Sequence, residues 1–348
     1  MGQASIEPPA TVIIPTYNRA SSLGRALQSV ADMDLSRELY EVVVVDNSST
    51  DDTPRVVQGF LGRGVSIRYL KEARLSLTAA RHAGANAASA PILSYLDDDV
   101  IVDRGWLPGV IDAFESDDKV GVVGGPILPI FEAEPPDWVK EYYPMSGWLS
   151  LMDRGSSRHE THDAYGPNFS VRKDVLQEVA GFPADTIGVE AQGRAGVVEK
   201  IYVGSGDVGL CAKVRKAGYK VLYEPKALVH HVIPAVRLTK AWWHSRLAGE
   251  GCCNALTQQY QYEEDRAELI RRALYSAGRT AKTALRCALG AVKRTGKERH
   301  EFLISYHLSR AKVEFALARH PDLAHRLWDV AFTGVLPQDI DRLARLLP

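Results

Sequence analysis

The chain is poor in cysteine, lacks any long apolar run and carries almost no net charge, and each lack removes a class of protein. Only four cysteines occur in 348 residues (Cys211, Cys252, Cys253 and Cys287), and none has zinc-site spacing. Cys252 and Cys253 are adjacent, an awkward geometry for bonding to each other, so reduced thiols and a cytoplasmic setting are expected. No stretch of about 18 apolar residues argues for a spanning helix, and no signal-peptide pattern opens the sequence. Formal net charge is -1, so no overall field draws nucleic acid. No G-x-G-x-x-G follows a strand, which disfavours a dehydrogenase. The remainder is ordinary: 45% hydrophobic and 24% charged residues can bury a real core.

What is present is an alternation of strand and helix patterns. After a loose lead-in over 1–10, Val12–Pro15, "YEVVVVDN", "SIRYLKE" and Ile92–Leu96 read as strands. Between them, "SSLGRALQSVADM" reads as a helix capped by Ser21 or Ser22, and "LTAARHAGANAASA" as an alanine-rich helix. This spacing predicts an α/β fold with a doubly wound, mostly parallel sheet. Residues 130–165, rich in Pro, Trp, Tyr and Asp, read as a binding loop or lid, and 184–204 as a second mobile loop. A helix is expected from about Asp207 to Gly218. After Pro234 the pattern turns helical, giving an α/β region over 11–235 and a C-terminal helical extension over 236–348. In that extension Ile270, Leu274, Ala277, Ala281, Leu285, Ala288 and Val292 form one stripe.

Two strand ends carry the chemistry. Pro15-Thr16-Tyr17-Asn18 ends the first strand, and Asp97-Asp98-Asp99 ends the fourth. In an open α/β sheet ligands sit at the carboxyl ends of strands, so both motifs would face one crevice. Three adjacent acids repel one another unless a cation joins them, and oxygen ligands suit Mg²⁺ or Mn²⁺. Each motif also has a plainer reading. Pro15 can simply end a strand, Asp46 can bond its own turn, the triplet can be a solvated turn, and Asp207 can cap a helix. Of His230 and His231, only one can face the crevice, because successive strand residues point to opposite faces.

Taken together, the blocks resemble family 2 glycosyltransferases with the GT-A nucleotide-diphospho-sugar transferase fold. "TVIIPTYNRASSLGRALQSV", "YEVVVVDNSSTDDT", "LTAARHAGANAASAPILSYLDDDV", "GPNFSVRKDVLQEVAGF" and "GSGDVGLCAKVRKAGYKVLYEP" follow the family's order over roughly 11–235. The resemblance implies a nucleotide-sugar donor, a divalent metal and inversion at the anomeric carbon. It places Pro15, Thr16, Tyr17, Asn18, Asp46, Arg81 and Asp97 around the donor, and Asp99, Asp97 and His231 (with His230 as rival) near the metal. Asp207 stands where the catalytic base is found. Trp138, Trp148, Tyr165 and Asn168 are expected on the acceptor side, with core packing as the competing role for the aromatics. Two departures stand out: Gly206 precedes Asp207 where the family often has an acid, and His82 follows Arg81 where asparagine is frequent.

The expected activity is transfer from a UDP-sugar to a glycan, lipid-linked or small-molecule hydroxyl, in bacterial surface-polysaccharide or glycolipid assembly. A nucleotidyltransferase is the rival enzyme, though "PTYNRA" stands where its glycine-rich loop would be. A sugar-binding module with a decayed site is the non-enzymatic rival. Between Arg271 and Arg299 lie nine Lys/Arg residues and one acid, Glu298. That helix either packs with its basic face solvated or rests peripherally on anionic lipid at the inner membrane face.

Overall fold

The structure is a computed structural model, and it describes residues 8–62, 64–142, 147–183, 191–192, 198–199, 206–289 and 297–320. The second loop expected over 184–204 lies almost wholly outside them. In chain order the elements begin with β1 (Ala10–Thr16), α1 (Ala20–Ala31), β2 (Tyr40–Asp46), α2 (Thr53–Phe60) and β3 (Ser66–Lys71). They continue with α3 (Leu77–Ala87), β4 (Ile92–Tyr95), β5 (Val100–Val102), α4 (Trp106–Glu115), β6 (Val120–Gly124) and β7 (Ile127–Phe131). Next come α5 (Asp137–Tyr142), β8 (His159–Thr161), β9 (Phe169–Arg172), α6 (Lys173–Glu178), and the ribbon β10 (Ala191–Gln192) and β11 (Val198–Glu199). Last are α7 (Gly206–Lys216), β12 (Lys220–Tyr223), β13 (Val229–Ile233), α8 (Lys240–Tyr262), α9 (Arg266–Ala288) and α10 (Lys297–Arg319). Two compact units share the chain. The first is Met1–Ile130, Ser150–Phe182 and Leu210–Ile233; the second is Phe131–Leu149, Pro183–Gly209 and Pro234–Pro348.

The first unit is built on a sheet in the order β3-β2-β1-β4-β9-β6-β12-β8. Pairings β1–β2, β2–β3, β1–β4 and β6–β12 are parallel, while β9 runs antiparallel between β4 and β6. Every residue of β1 and β2 is buried, as expected of β-branched runs covered on both faces. Gly84 lets α3 lie directly on this sheet, because a Cβ there would come within 2.4 Å of Ile13 Cγ2. A smaller sheet, β5-β13-β7, completes the unit. One expected detail changes: α1 opens at Ala20, so Ser21 and Ser22 lie inside its first turn. The cap comes from a distant residue, Asp51, whose Oδ2 accepts from the Ala20 N–H at 3.0 Å.

The second unit contains α8, α9 and α10. Trp138, Trp148 and Phe302 surround Trp243 with ring centroids 5.5 to 5.6 Å apart. Both tryptophans expected to stack on acceptor sugar are half-buried and pack edge-on against Trp243 within this unit. The stripe from Ile270 to Ala288 also behaves otherwise than expected. Leu274 and Leu285 are 60% and 59% exposed, and the face of α9 that packs is Leu269, Arg272, Ala273 and Ser276. Arg272 sits there because acids meet it. Its guanidinium pairs with Glu264 and, at 2.8 Å, with Glu314, which also accepts from Ser276 and Arg310, each at 2.8 Å. Replacing Glu314 with alanine is expected to destabilise the protein by about 3–5 kcal/mol, because two guanidiniums lose their shared anion. Urea unfolding measures it. A loss below about 1 kcal/mol would mean water relieves those guanidiniums.

Candidate functional site

The carboxyl ends of β1, β2 and β4 converge as the sequence implies, and backbone bonds extend the ladder past them. Leu96 N–H donates to Ile13 O at 3.0 Å, Asn47 N–H to Thr16 O at 2.9 Å, and Glu72 N–H to Asp46 O at 2.9 Å. Pro15 and Thr16 are buried strand residues, whereas Tyr17 is 45% exposed. Asn18 takes φ +53°, a left-handed turn position that asparagine tolerates. Its Oδ1 accepts from the Thr50 N–H at 2.7 Å, and its own N–H donates to Ser49 Oγ at 2.9 Å. The turns after β1 and β2 are thus stitched together.

Asp46 is buried at the end of β2. Its Oδ1 accepts from the Ser49 N–H at 2.7 Å, and Tyr69 donates its hydroxyl to Oδ2. Burial and the adjacent Asp46 carboxylate raise the Tyr69 pKa, so the hydroxyl stays protonated. Asn47 anchors the next loop by donating to Glu72 O and Arg74 O and accepting from the Ser76 N–H. Ser76 then caps α3 by accepting from Ala79 N–H at 3.2 Å. That chain of bonds positions Arg81 one turn further along.

The acidic triplet is met by basic groups of its own chain. Arg81 Nη2 lies 3.7 Å from Asp97 Oδ1, and the Arg81 guanidinium stands 5.1 Å from the centre of the Phe182 ring. Arg19 Nη1 reaches both Asp98 Oδ1, at 3.1 Å, and Asp99 Oδ2, at 2.7 Å. Thr16 donates its hydroxyl to Asp98 Oδ2 at 2.7 Å. Burial pushes the Asp98 carboxyl up to about 6 against the pull of Arg19 and Thr16. His231 is the crevice-facing member of its pair, with Nε2 at 3.4 Å from Asp99 Oδ1 and the ring buried; His230 lies on the other face of β13. The Val232 N–H bond to Asp99 O, 2.9 Å, fixes this register.

These donors suit a divalent cation in kind: carboxylate oxygen and imidazole nitrogen are both Mn²⁺ ligands, and carboxylate suits Mg²⁺. Asp99 and His231 are brought together, while Asp97 is held by Arg81. Among the described residues no group of three or more metal-ligating side chains converges. Bound oxygens from a ligand would have to complete any such shell.

Other expected residues fall into different roles. Asn168 is a brace: its Nδ2 donates to Ala227 O at 2.7 Å and Pro126 O at 3.3 Å, and its Oδ1 accepts from Trp106 Nε1 at 2.9 Å. That saturation removes it from acceptor recognition. Tyr165 is half-buried just before it. His82 points inward, where its Nε2 accepts from the Phe182 N–H at 2.9 Å. Burial, then Lys213 and Arg81, lower its pKa to about 4, so it is a neutral brace for the ring beneath Arg81. Asp207 belongs to the second unit, in the first turn of α7, with Oδ1 accepting from the Val208 N–H at 2.8 Å. Glu250 of α8, paired with Arg246 at 2.6 Å, has its pKa raised by burial and, to a lesser degree, by the Asp207 charge. Sequence reasoning missed Arg19, Tyr69 and Glu250. Arg19 was within the quoted "PTYNRA" motif, but its partners were 80 residues away.

A mostly parallel sheet with acids at the carboxyl ends of its strands, followed by helices, is the architecture of the GT-A glycosyltransferases. Residues 11–180 match the model of glycosyl transferase family 2. That match spans just under half of the chain, and the curated relatives the chain resembles are named as glycosyltransferases. It is 26% identical over 239 residues to a glucosyl-dolichyl phosphate glucuronosyltransferase of Haloferax volcanii, covering 67% of this chain and 72% of the relative. It is 30% identical over 226 residues to a pre-mycofactocin glycosyltransferase of Mycobacterium tuberculosis, covering 64% of this chain but only 42% of the relative. Among solved structures, a mannosyltransferase of Pyrobaculum calidifontis in complex with GDP-Man and Mn²⁺ superposes with a TM-score of 0.51 at 20% identity. That alignment covers 98% of this chain and 79% of the other. No helix among the described residues is long and apolar enough to cross a membrane.

Proposed function

We propose that the chain is a metal-dependent inverting glycosyltransferase that moves a sugar from a nucleotide diphosphate, with UDP favoured, to an acceptor hydroxyl. The observation that carries this reading is the strand-end cluster: Tyr17 and Asp46 on one side, and Asp97, Asp99, Arg81 and His231 on the other. The first pair would hold the base and ribose, Asp97 the ribose or a metal-bound water, and Arg81 the diphosphate. Asp99 and His231 would hold Mg²⁺ or Mn²⁺, which when bound neutralises the diphosphate leaving group. Asp207 takes the proton of the acceptor hydroxyl, whose oxygen attacks the anomeric carbon from the face opposite the departing diphosphate. Mn²⁺ accompanies GDP-Man in the Pyrobaculum enzyme, which supports both the donor class and the metal. The dolichyl phosphate in the Haloferax relative's name supports a lipid-linked acceptor, alongside glycans and small molecules. Donor hydrolysis across a panel of UDP- and GDP-sugars, with Mn²⁺, Mg²⁺ or chelator, tests the reading. Binding without turnover for every donor and metal would instead favour a decayed nucleotide-binding module.

A peripheral membrane contact is part of the same proposal, and a location at the inner membrane face would follow from it. From Arg271 to Leu289 the chain carries five basic residues and no acid. Exposed Leu274, Tyr275, Leu285 and Leu289 share the outer side of α9 with Arg271, Lys282 and Arg286. Each basic residue near an anionic surface contributes about 1 kcal/mol, enough in sum for reversible attachment. Arg272, being buried in its ion pairs, contributes none. The expected result is salt-sensitive co-sedimentation with anionic but not neutral liposomes, lost when Arg271, Lys282 and Arg286 become glutamine. Equal recovery with both liposome types would leave α9 a solvated helix.

A further inference from the structure

Three consecutive acids need a counter-charge, and the chain supplies one from the turn after β1. The Arg19 guanidinium bridges Asp98 and Asp99, whose side chains are only 7% exposed, while its own side chain is 44% exposed. The two acids differ in what else holds them. Asp98 has both oxygens engaged within the protein, Oδ1 by Arg19 and Oδ2 by Thr16. Asp99 stands between Arg19 at Oδ2 and His231 at Oδ1, the imidazole being the neighbour a transition metal would share. Arg19 therefore occupies one oxygen of the very carboxylate best placed for a cation.

We propose that Arg19 is a built-in counter-ion that competes with the divalent cation for Asp99. The inference rests on the metal reading of the site. Without metal, the guanidinium keeps two neighbouring carboxylates from repelling each other, so the strand end is preformed. Metal entry requires it to give up the Asp99 bond while Asp98 and Thr16 keep their own. An exposed, flexible arginine can do this, and a nucleotide diphosphate would receive the freed guanidinium in a charge-assisted, bidentate contact. Metal alone then binds weakly, and metal and nucleotide favour each other's binding. Arg19 acts here as a positioning residue, since it contacts the acids rather than the reacting atoms.

Calorimetric titration of Mn²⁺ alone, UDP alone, and UDP in saturating Mn²⁺ tests this on the full chain and on Arg19→Gln and Arg19→Lys. Arg19→Gln is expected to bind Mn²⁺ alone roughly tenfold more tightly, the scale of one lost charge-assisted hydrogen bond. The gain in UDP affinity brought by Mn²⁺ should shrink in the same variant. Arg19→Lys keeps a cation but not the fork, so its Mn²⁺ affinity should fall between the two. That variant carries the test if the glutamine form does not fold. Mn²⁺ affinity unchanged or weakened in both variants, with wild type still binding UDP and Mn²⁺ together, overturns the counter-ion role and leaves the proposed function standing. Failure of wild type to bind Mn²⁺ with or without UDP overturns both.

Discussion

Asp99→Asn is expected to lower turnover by a factor on the order of 10³ while leaving the unfolding midpoint nearly unchanged. The amide keeps the shape of the side chain, and the backbone bond from the Val232 N–H to Asp99 O is untouched. What disappears is the negative charge beside the His231 Nε2, and with it the proposed hold on a divalent cation. Mn²⁺-dependent UDP binding should weaken in parallel, whereas any binding of UDP without metal should persist. Steady-state kinetics with excess Mn²⁺, together with calorimetry, separates the two contributions. Full activity with normal Mn²⁺ response would remove Asp99 from the site and leave the triplet as a charged turn neutralised by Arg19 and Arg81.

Asp207→Asn is expected to cut kcat by a factor on the order of 10² to 10⁴, with donor affinity kept. The residue opens α7, and asparagine can still accept the Val208 N–H bond that Asp207 Oδ1 accepts now. Loss of the base should therefore appear as a fall in kcat at constant donor KM and constant melting temperature. A residue that serves only the helix end would show the reverse: activity falling in step with stability. Gly206 leaves no acid immediately before Asp207, and the nearby carboxyl of Glu250 has its pKa raised mainly by burial, with a smaller contribution from Asp207. Glu250→Gln offers a control, since it preserves the size of the group while removing its charge.

The strands were legible because their signal is local. The β-branched runs of β1 and β2 needed no partner to be read, and the three acids after β4 announced a strand end. The antiparallel β9, set between β4 and β6, was not legible, since "NFSVR" carries no mark of direction and its place depends on two strands far along the chain. Long-range partners explain the other misses. Trp138 and Trp148 look like sugar platforms in isolation, but Trp243 from a later helix packs against both half-buried rings, and Phe302 against that of Trp138. Asn168 looks free to bind a hydroxyl until Trp106 and the carbonyls of Pro126 and Ala227 are in view. In α9 the 3.6-residue periodicity of Leu274 and Leu285 is real, but Glu314 on α10 and Glu264 draw Arg272 inward and turn the leucines out. Periodicity alone cannot see an acid on another helix.

The bonds joining the turns after β1 and β2 have a thermodynamic consequence. Asn18, Ser49 and Thr50 hold one turn against the other, and Asn47 ties both to the loop before α3. The part of the strand-end cluster proposed to take the nucleoside is therefore ordered before any ligand arrives, and little conformational entropy would remain to be lost there on binding. The part proposed to take the diphosphate is arranged differently, around an arginine that on the proposed reading exchanges partners. Recognition of the base can then be a rapid docking event, and the slower adjustment falls on the charges that surround the leaving group.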